Sequence, residues 1–316
     1  MPFKLQTAIK SLGGAYAKST LWCKILLFIS LLLLLVLAFK GLPSKHMKEG
    51  FEQNDQFLIK TGPDIYDNFY ANIYDYLVFN TLKNDYEVGE IVNKTSPSSK
   101  SRILDVGCGT GHHVASLGSK GYDILGIDIS PSMIEKAKEN FPNYKFEVAD
   151  ALDGSEFEPD SFTHILCMYF TIYYFPDKAQ FFQNCYKWLM PGGYMIVHLV
   201  DRAMFDPILP PGNPLLYISP QRYAKERITS TKVKFVDFSY SANFQLDESK
   251  NMAYFTEKMK NDKDGKVRKN EHKMYMPDSQ EILDEAQSSG FILEGKIDLL
   301  QCQYEYQYLY ILVKPN

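Results

Sequence analysis

The sequence is poor in cysteine, and its five cysteines are widely spaced, at Cys23, Cys108, Cys167, Cys185 and Cys302. The count is odd, and neither a C-x-x-C pair nor a histidine at metal-ligand spacing accompanies these residues. We therefore predict reduced, structural thiols, and we expect neither a disulfide framework nor a metal site.

The chain also lacks an excess of positive charge. Its 34 lysines and arginines are outnumbered by 38 aspartates and glutamates, and acidic residues interrupt the densest basic stretch, at residues 258–273. Because nucleic acids are bound through basic surfaces, we do not expect a nucleic-acid partner. The hydrophobic share of 45% and the charged share of 23% are typical of globular proteins and argue against disorder.

One leucine-rich run, at residues 25–39, contains fifteen residues without a charge. Such a run is too apolar for a surface helix. It spans about 22 Å as a helix, whereas residues 21–42 span about 33 Å if Lys24 and Lys40 reach the two faces of a bilayer. We therefore predict a single-pass membrane anchor at 21–42, between a polar segment at 1–20 and a juxtamembrane linker at 43–62. A cleaved signal peptide is the alternative, because basic residues precede the run.

Residues 63–316 form the predicted globular domain, which begins with one or two helices over 66–92. From residue 102, short β-rich runs alternate with helical patterns. The predicted strands are 102–106, 124–129, 145–148, 164–168 and 194–199, and the predicted helices are 112–120, 131–140 and 178–190. This alternation is typical of an α/β fold with a doubly wound, mostly parallel sheet.

The pattern changes after residue 200. A proline-rich loop leads into residues 233–244, which alternate like a half-exposed strand, and a turn at Asp264-Gly265 indicates an antiparallel meander. We expect this insertion, at about 202–276, to cover the active site. A helix at 279–288 and two strands at 291–299 and 306–313 complete the predicted domain.

A glycine-rich turn follows the first predicted strand of the sheet and contains Asp105, Gly107, Cys108, Gly109 and Gly111. Glycines allow a backbone to approach a ligand closely, and the helix that follows presents unpaired N–H groups. The spacing G-x-G-x-G differs from the dinucleotide fingerprint G-x-G-x-x-G/A. A nucleotide-like ligand is therefore indicated, and the spacing opposes an NAD-type oxidoreductase.

Acidic residues end the next two predicted strands. Asp128 can accept hydrogen bonds from both hydroxyls of a ribose, and it would repel a phosphorylated ribose. Asp150 can accept a hydrogen bond from an adenine amino group. A solvated carboxylate at the end of a strand is the alternative interpretation of Asp150.

Together, these features resemble the class I S-adenosylmethionine-dependent methyltransferases of the small-molecule type, from about residue 66 to 315. The turn at Pro191-Gly192-Gly193 and the fourth-strand pattern at 162–168 also match that family. The resemblance implies a Rossmann-like sheet of seven strands whose seventh strand, at 306–313, is antiparallel. It also implies S-adenosylmethionine as cofactor, bound by Tyr66, Asp105, Gly107, Cys108, Gly109, Gly111, Asp128, Ile129, Met133, Asp150, Ala151 and Met168. Tyr74 is a looser match to an aromatic residue over the cofactor.

Catalysis in such an enzyme depends mainly on alignment, because a methyl group on a sulfonium is already activated. Relatives often carry His or Asn after the fourth strand, where this chain has the aromatic residues 170–175. Tyr173 is our candidate for a polar contact with the methyl acceptor, and packing is the alternative. His112, His113, His164 and His198 are interpreted as structural.

We therefore predict a membrane-anchored methyltransferase that acts on a small-molecule or membrane-associated acceptor. A protein methyltransferase, an NAD-type oxidoreductase and a catalytically silent, membrane-tethered binding module are the alternatives, and the intact Asp105, Asp128 and Asp150 oppose the last. The catalytic domain is expected in the cytosol, where S-adenosylmethionine is made and thiols stay reduced. Asn93-Lys94-Thr95, in a predicted surface loop, would report a lumenal location by becoming glycosylated.

Overall fold

A computed structural model describes residues 20–40, 56–209, 221 and 224–316. The chain divides into two units, Met1–Gly50 and Phe51–Asn316. Helix α1, Leu21–Lys40, belongs to the first unit.

Helix α1 covers most of the predicted membrane anchor at 21–42. In the part of the chain that the structure describes, no helix is long and apolar enough to cross a membrane. The predicted membrane-spanning helix is therefore not supported.

The second unit contains the remaining helices and strands. Its first part comprises β1 Phe57–Thr61, α2 Asn68–Val78, α3 Thr81–Thr95, β2 Arg102–Val106, α4 His112–Gly118, β3 Asp123–Asp128, α5 Pro131–Asn140, β4 Lys145–Val148, β5 Phe162–Cys167, α6 Lys178–Trp188 and β6 Leu189–Val200. Its last part comprises β7 Ser230–Lys234, β8 Phe238–Asp247, β9 Met252–Asn261, β10 Val267–Tyr275, α7 Ser279–Ser288, β11 Ile292–Asp298 and β12 Gln307–Val313. Two short 3-10 helices, Gly62–Ile65 and Thr171–Tyr174, also contribute to the site.

The larger sheet has seven strands in the order β11-β12-β6-β5-β2-β3-β4. Strands β2 to β6 pair in parallel, whereas β12 runs antiparallel to β6 and β11. The central strands are apolar along their length, and Leu104, Ile165 and Ile196 are fully buried, as in parallel sheets that are covered on both faces. The predicted doubly wound fold with an antiparallel seventh strand is confirmed.

Local sequence signals account for the helix boundaries near the site. Helix α5 begins after Ser130, whose hydroxyl accepts a hydrogen bond from the Met133 N–H, and Pro131 occupies its first turn. Helix α6 ends at Trp188 rather than at the predicted residue 190. The chain continues directly from α6 into β6, and the predicted Pro191-Gly192-Gly193 turn lies inside that strand.

The smaller sheet has five strands in the order β1-β10-β9-β8-β7, all antiparallel except for the parallel pair β1 and β10. Two predictions need correction here. The linker predicted at 43–62 is too long, because Phe57–Thr61 pairs with β10 and covers an edge that would otherwise be unpaired. The single strand predicted at 233–244 is two strands, because the chain reverses at Phe235, whose N–H donates to the Phe238 carbonyl.

The smaller sheet is joined to the rest of the second unit by buried contacts. Phe244, Ala253 and Met274 belong to the same core cluster as Leu199 of strand β6. The guanidinium of Arg268 donates to both carboxylate oxygens of Asp67, at 2.9 Å each, and to the Ile65 carbonyl at 2.8 Å. The predicted insertion is therefore part of the core.

Arg268→Met should lower the free energy of unfolding by about 2 to 3 kcal/mol, because hydrogen bonds to charged partners are lost from a buried position. Asp67 is partly exposed and can regain water, so a larger loss is not expected. Urea denaturation measures the change. Lys60→Met is the control, since Lys60 pairs with the same carboxylate at 3.3 Å near the surface, and it should cost less than about 1 kcal/mol. Equal decreases in the free energy of unfolding for the two variants would contradict this account.

Candidate active site

The glycine turn between β2 and α4 is shaped by close packing. Gly107, Gly109 and Gly111 all have positive φ, at 68°, 54° and 91°. A Cβ on Gly107 would lie 2.5 Å from Cγ2 of Thr171, and one on Gly111 would lie 2.7 Å from Cζ of Phe146. A Cβ on Gly109 would meet nothing closer than 3.7 Å. The outer two glycines are therefore required by packing, whereas a Cβ on Gly109 would make only ordinary van der Waals contacts, with Tyr74 and Met133.

Asp128, at the end of β3, is tied to this turn. One of its carboxylate oxygens accepts a hydrogen bond from the Gly109 N–H at 3.0 Å, and the other accepts from the Ser130 N–H at 2.9 Å. Burial raises the pKa of Asp128 above its ordinary value, although these two hydrogen bonds act in the opposite direction. The predicted ribose acid and the glycine turn thus form one unit.

Asp105, at the start of the turn, is buried without a full set of partners. Its side chain is 1% exposed, and its Oδ2 atom has no hydrogen-bond partner among the described residues. Burial raises the pKa of Asp105 from 3.8 to about 6. A buried carboxylate oxygen without a donor is costly, so a cationic or hydrogen-bond-donating ligand group fits this position.

A cavity beside the turn is lined by Asp105, Gly109, Met168 and Tyr169, and on its far side by a charged cluster from α3 and α4. In that cluster Glu87 forms an ion pair with Lys83 and lies 3.1 Å from Nε2 of His113. Burial alone would raise the pKa of Glu87, but these two neighbours lower it to about 2. Glu87 is therefore ionised, and the positive charge of Lys83 balances it. Asp105 has no ion-pair partner among the described residues.

The structure places the remaining predicted cofactor residues around the same strand ends. Asp150 follows β4 and accepts a hydrogen bond from the Leu152 N–H at 2.9 Å. Ile129 is exposed, and Cys108 is half-buried in the turn, where burial raises the pKa of its thiol. The other three predicted residues, Met133, Ala151 and Met168, are buried.

Tyr66 is brought to Asp128 by a contact from outside the large sheet. Its carbonyl accepts a hydrogen bond from the Ser130 hydroxyl at 2.6 Å, two residues after Asp128. Its ring packs edge to face against Tyr174, with centroids 6.1 Å apart. Tyr74 lies beside Gly109. Tyr66, Tyr74 and Tyr174 thus form an aromatic wall next to the glycine turn.

Tyr173, the predicted polar contact with the acceptor, has a different environment. It is fully buried, and its hydroxyl accepts a hydrogen bond from the Val200 N–H at 2.9 Å. This contact fixes the end of β6 against the 3-10 helix Thr171–Tyr174. The prediction of a contact with the acceptor is therefore corrected to a packing role, whereas the neighbouring Tyr174 is only half-buried.

Sequence reasoning missed two residues of the smaller sheet that reach this wall. Nδ1 of His272 lies 2.8 Å from the Tyr174 hydroxyl oxygen, and its Nε2 lies 2.9 Å from Oε2 of Glu257. A signal for them existed, since Arg268, Asn270 and His272 alternate along β10 at buried positions. Polar residues at the inward positions of a strand are unusual and indicate a paired network.

Comparison with known proteins identifies the family to which the domain around the glycine turn belongs. The profile of a family described as "Methyltransferase domain" matches residues 103–193. The chain carries a class I S-adenosylmethionine-dependent methyltransferase domain, and S-adenosylmethionine is its cofactor.

Curated relatives resemble only part of this chain. Phosphoethanolamine N-methyltransferase 1 of Zea mays is 34% identical over 113 residues, which cover 34% of this chain and 22% of the relative. Ubiquinone biosynthesis O-methyltransferase of Xylella fastidiosa is 30% identical over 129 residues, which cover 40% of this chain and 50% of the relative. The chain thus spans between about a fifth and a half of the length of these relatives.

Solved structures share the fold over a longer range. An S-adenosylmethionine-dependent methyltransferase from Clostridium acetobutylicum superposes with a TM-score of 0.59 at 16% identity, covering 79% of this chain and 99% of that chain. The CcbJ methyltransferase from Streptomyces caelestis superposes with a TM-score of 0.61 at 13% identity, covering 79% and 98%. At such identities these likenesses show the fold alone.

The chain should bind S-adenosylmethionine less tightly as the pH falls through about 6, where Asp105 becomes neutral and no longer attracts a cation. Between pH 7.5 and pH 5 we expect a loss of about tenfold in affinity, measured by calorimetry. Asp105→Asn should bind weakly at both pH values. Asp123→Asn, an exposed control, should retain the wild-type dependence. An affinity in the wild type that is constant over this range would contradict the role of Asp105.

Asp105→Asn should also stabilise the ligand-free protein at neutral pH. Because the pKa of Asp105 in the folded protein is raised from 3.8 to about 6, its ionisation removes stability as the pH rises through that window. The free energy of unfolding of Asp105→Asn should therefore exceed that of the wild type by about 2 to 3 kcal/mol above pH 6, and this difference should vanish below about pH 4. Thermal unfolding at pH 7.5 and at pH 4 measures it, and a variant that is less stable than the wild type at pH 7.5 would contradict the prediction.

Proposed function

We propose that this chain is an enzyme that transfers the methyl group of S-adenosylmethionine to a small-molecule acceptor. The observation that carries the proposal is the buried carboxylate of Asp105, whose Oδ2 has no hydrogen-bond partner among the described residues, in the cavity that Gly109 also lines. The methionine part of the cofactor carries a positively charged amino group. This group can serve as the partner that the carboxylate of Asp105 lacks. The residues present therefore fit this cofactor.

The other residues supply the nucleoside contacts in this proposal. Asp128, which accepts from the Gly109 N–H in the structure, would accept from the ribose hydroxyls, and Asp150 would accept from the adenine amino group. Ile129, Met133, Ala151 and Met168 would supply apolar side chains at the same strand ends, and Tyr66 and Tyr74 would cover the cofactor from the aromatic wall.

Bound S-adenosylmethionine supplies a methyl group that is activated by the positive sulfur. The task of the chain is to hold the acceptor in line with that methyl group and to exclude water. The buried core shared by the two sheets supports this, since the 3-10 helix Thr171–Tyr174 is fixed from one side by Gly107 and from the other by Val200. A rigid wall of this kind orients a small acceptor.

The acceptor class is proposed from two observations. The curated relatives are named for methylation at nitrogen and at oxygen, so both atoms remain candidates here. The smaller sheet lies against the same strand ends and is joined to them through Tyr174 and His272. Because that sheet reaches the methyl-transfer site, we propose a small molecule rather than a folded protein as the acceptor.

We further propose that the catalytic unit faces the cytosol and that helix α1 associates with a membrane. All five cysteines are free, which suits a reducing compartment. Trp22 and Phe28 on α1 are exposed apolar residues.

Glycosylation at Asn93 is not the reporter of location that the sequence led us to expect. Thr95, the third residue of the acceptor motif, is buried at the end of α3, and its hydroxyl donates to the Ile91 carbonyl. Protease protection in intact vesicles tests the orientation instead.

The full chain should bind S-adenosylmethionine in the micromolar range, about −8 kcal/mol, and should not bind NAD. Asp128→Ala should weaken this binding by about 1.5 to 3 kcal/mol, because the ribose loses its charged acceptor. Gly109→Val should abolish it, since the added side chain would occupy the cavity that Gly109 lines and its φ of 54° is strained for valine. Calorimetry measures binding, and circular dichroism checks that each variant is folded. Unchanged affinity in Asp128→Ala would remove the ribose assignment.

Turnover is tested by release of S-adenosylhomocysteine in the presence of a panel of small acceptors. The panel contains phosphoethanolamine, phenols, amino sugars and small carboxylic acids. We expect release with at least one amine or hydroxyl compound, and no release in Gly109→Val. A chain that binds S-adenosylmethionine but methylates no member of the panel, and instead methylates protein from a cell extract, would contradict the small-molecule proposal.

A further inference from the structure

A chain of polar side chains leads from the aromatic wall into the interior of the smaller sheet. It begins at the half-buried Tyr174, passes through His272 and ends at Glu257. His272 is 3% exposed and Glu257 is 0% exposed. A histidine and a carboxylate buried in this way need a complete set of hydrogen bonds, because an unpaired member would be strongly destabilising.

The hydrogen bonds fix where the protons lie. Glu257 accepts from the Tyr240 hydroxyl at 2.7 Å and from the Asn270 amide at 3.0 Å, as well as from His272. Burial alone would raise the pKa of Glu257, but these donors hold it below the ordinary value. Glu257 is therefore an ionised acceptor, so Nε2 of His272 carries a proton, and in the neutral ring Nδ1 can then accept one from Tyr174.

Other buried histidines are less suited to receive a proton. Burial lowers the pKa of both His164 and His198 to about 4, so they stay neutral at physiological pH. His113 faces a carboxylate, but that carboxylate, Glu87, is already neutralised by Lys83. His272 combines a carboxylate on one ring nitrogen with a hydroxyl that leads toward the site on the other.

The outer end of this chain meets the cofactor region. Tyr174 closes the 3-10 helix that starts at Thr171, whose side chain packs against Gly107. The ring of Tyr66 contacts the rings of both Tyr174 and His272. Its centroid lies 6.1 Å from that of Tyr174 and 6.0 Å from that of His272. Tyr66 also holds Ser130 next to the ribose acid. A group bound against Tyr174 therefore lies near the cofactor.

We propose that the hydroxyl of Tyr174 contacts the methyl acceptor and relays the proton that the acceptor loses to His272, which Glu257 positions. This inference rests on the proposed function and deepens it. The relay suits an acceptor that carries a proton on its nucleophilic atom, a hydroxyl or an amine, rather than an ionised carboxylate. Tyr174 is the catalytic residue in this scheme, and His272 and Glu257 are positioning residues.

The step is balanced in atoms and charge. A lone pair on the acceptor oxygen or nitrogen forms the bond to the methyl carbon, and the C–S bond breaks with its electron pair left on sulfur. The proton of the acceptor moves to the Tyr174 oxygen as the Tyr174 proton moves to Nδ1 of His272. Burial raises the pKa of Tyr174, so the two transfers occur together and no free phenolate forms. The proton returns to water when the product leaves.

The test uses the full chain, S-adenosylmethionine and an amine or hydroxyl acceptor from the panel above. His272→Ala and Tyr174→Phe should each lower kcat by about 10² to 10⁴, with the KM for S-adenosylmethionine within about threefold of the wild type. Added imidazole should restore part of the rate in His272→Ala and none in His272→Gln, whose side chain fills the space without accepting a proton. A structural defect would not be repaired by imidazole. His164→Gln, a buried control on β5, should stay within about threefold of the wild type.

Two results would overturn the relay. One is a kcat within about threefold of the wild type in folded His272→Ala. The other is a His272 that carries its proton on Nδ1 in ¹⁵N-histidine NMR spectra of the chain bound to S-adenosylhomocysteine, whereas the relay requires the proton on Nε2. The NMR result does not depend on an acceptor. A chain that shows the Nε2 tautomer but methylates no panel compound would therefore support the relay geometry and contradict the proposed function.

Discussion

Close packing at the glycine turn sets the position of everything else in the site. Gly107 lies against Thr171 and Gly111 lies against Phe146, at distances that leave no room for a side chain. Strands β2 and β5 are neighbours in the sheet, so this packing holds the segment after β5 directly over the turn. Asp128 is held in the same place by the N–H of Gly109. The cofactor loop and the aromatic wall are consequently parts of one rigid arrangement.

The smaller sheet extends this arrangement into the interior. Its core residues pack with those of the large sheet, and Arg268 connects it to Asp67, the residue that caps α2. The same sheet carries Glu257 and His272, which reach Tyr174. An insertion that shares the core can place side chains in the site with the accuracy that a proton relay requires.

Much of the large sheet follows from local sequence signals. The predicted bounds of β2 at 102–106 and of α5 at 131–140 agree with the structure, because an apolar run before glycines and a Ser-Pro start specify them locally. Strand β1 could not be predicted in this way, since Phe57 pairs with Val267, more than two hundred positions away. The choice between Tyr173 and Tyr174 depends on the turn of a 3-10 helix, which the sequence does not fix. The His272 relay was missed because its three members, Tyr174, His272 and Glu257, lie on three separate segments.

The most direct test of the central claim is the structure of the chain bound to S-adenosylhomocysteine. We predict that the amino group of the ligand lies within hydrogen-bonding distance, about 3 Å, of Oδ2 of Asp105, and that both ribose hydroxyls contact Asp128. The Asp128 hydrogen bond from Gly109 should then be replaced. A ligand bound away from the glycine turn, with Oδ2 of Asp105 still unpaired, would contradict the account.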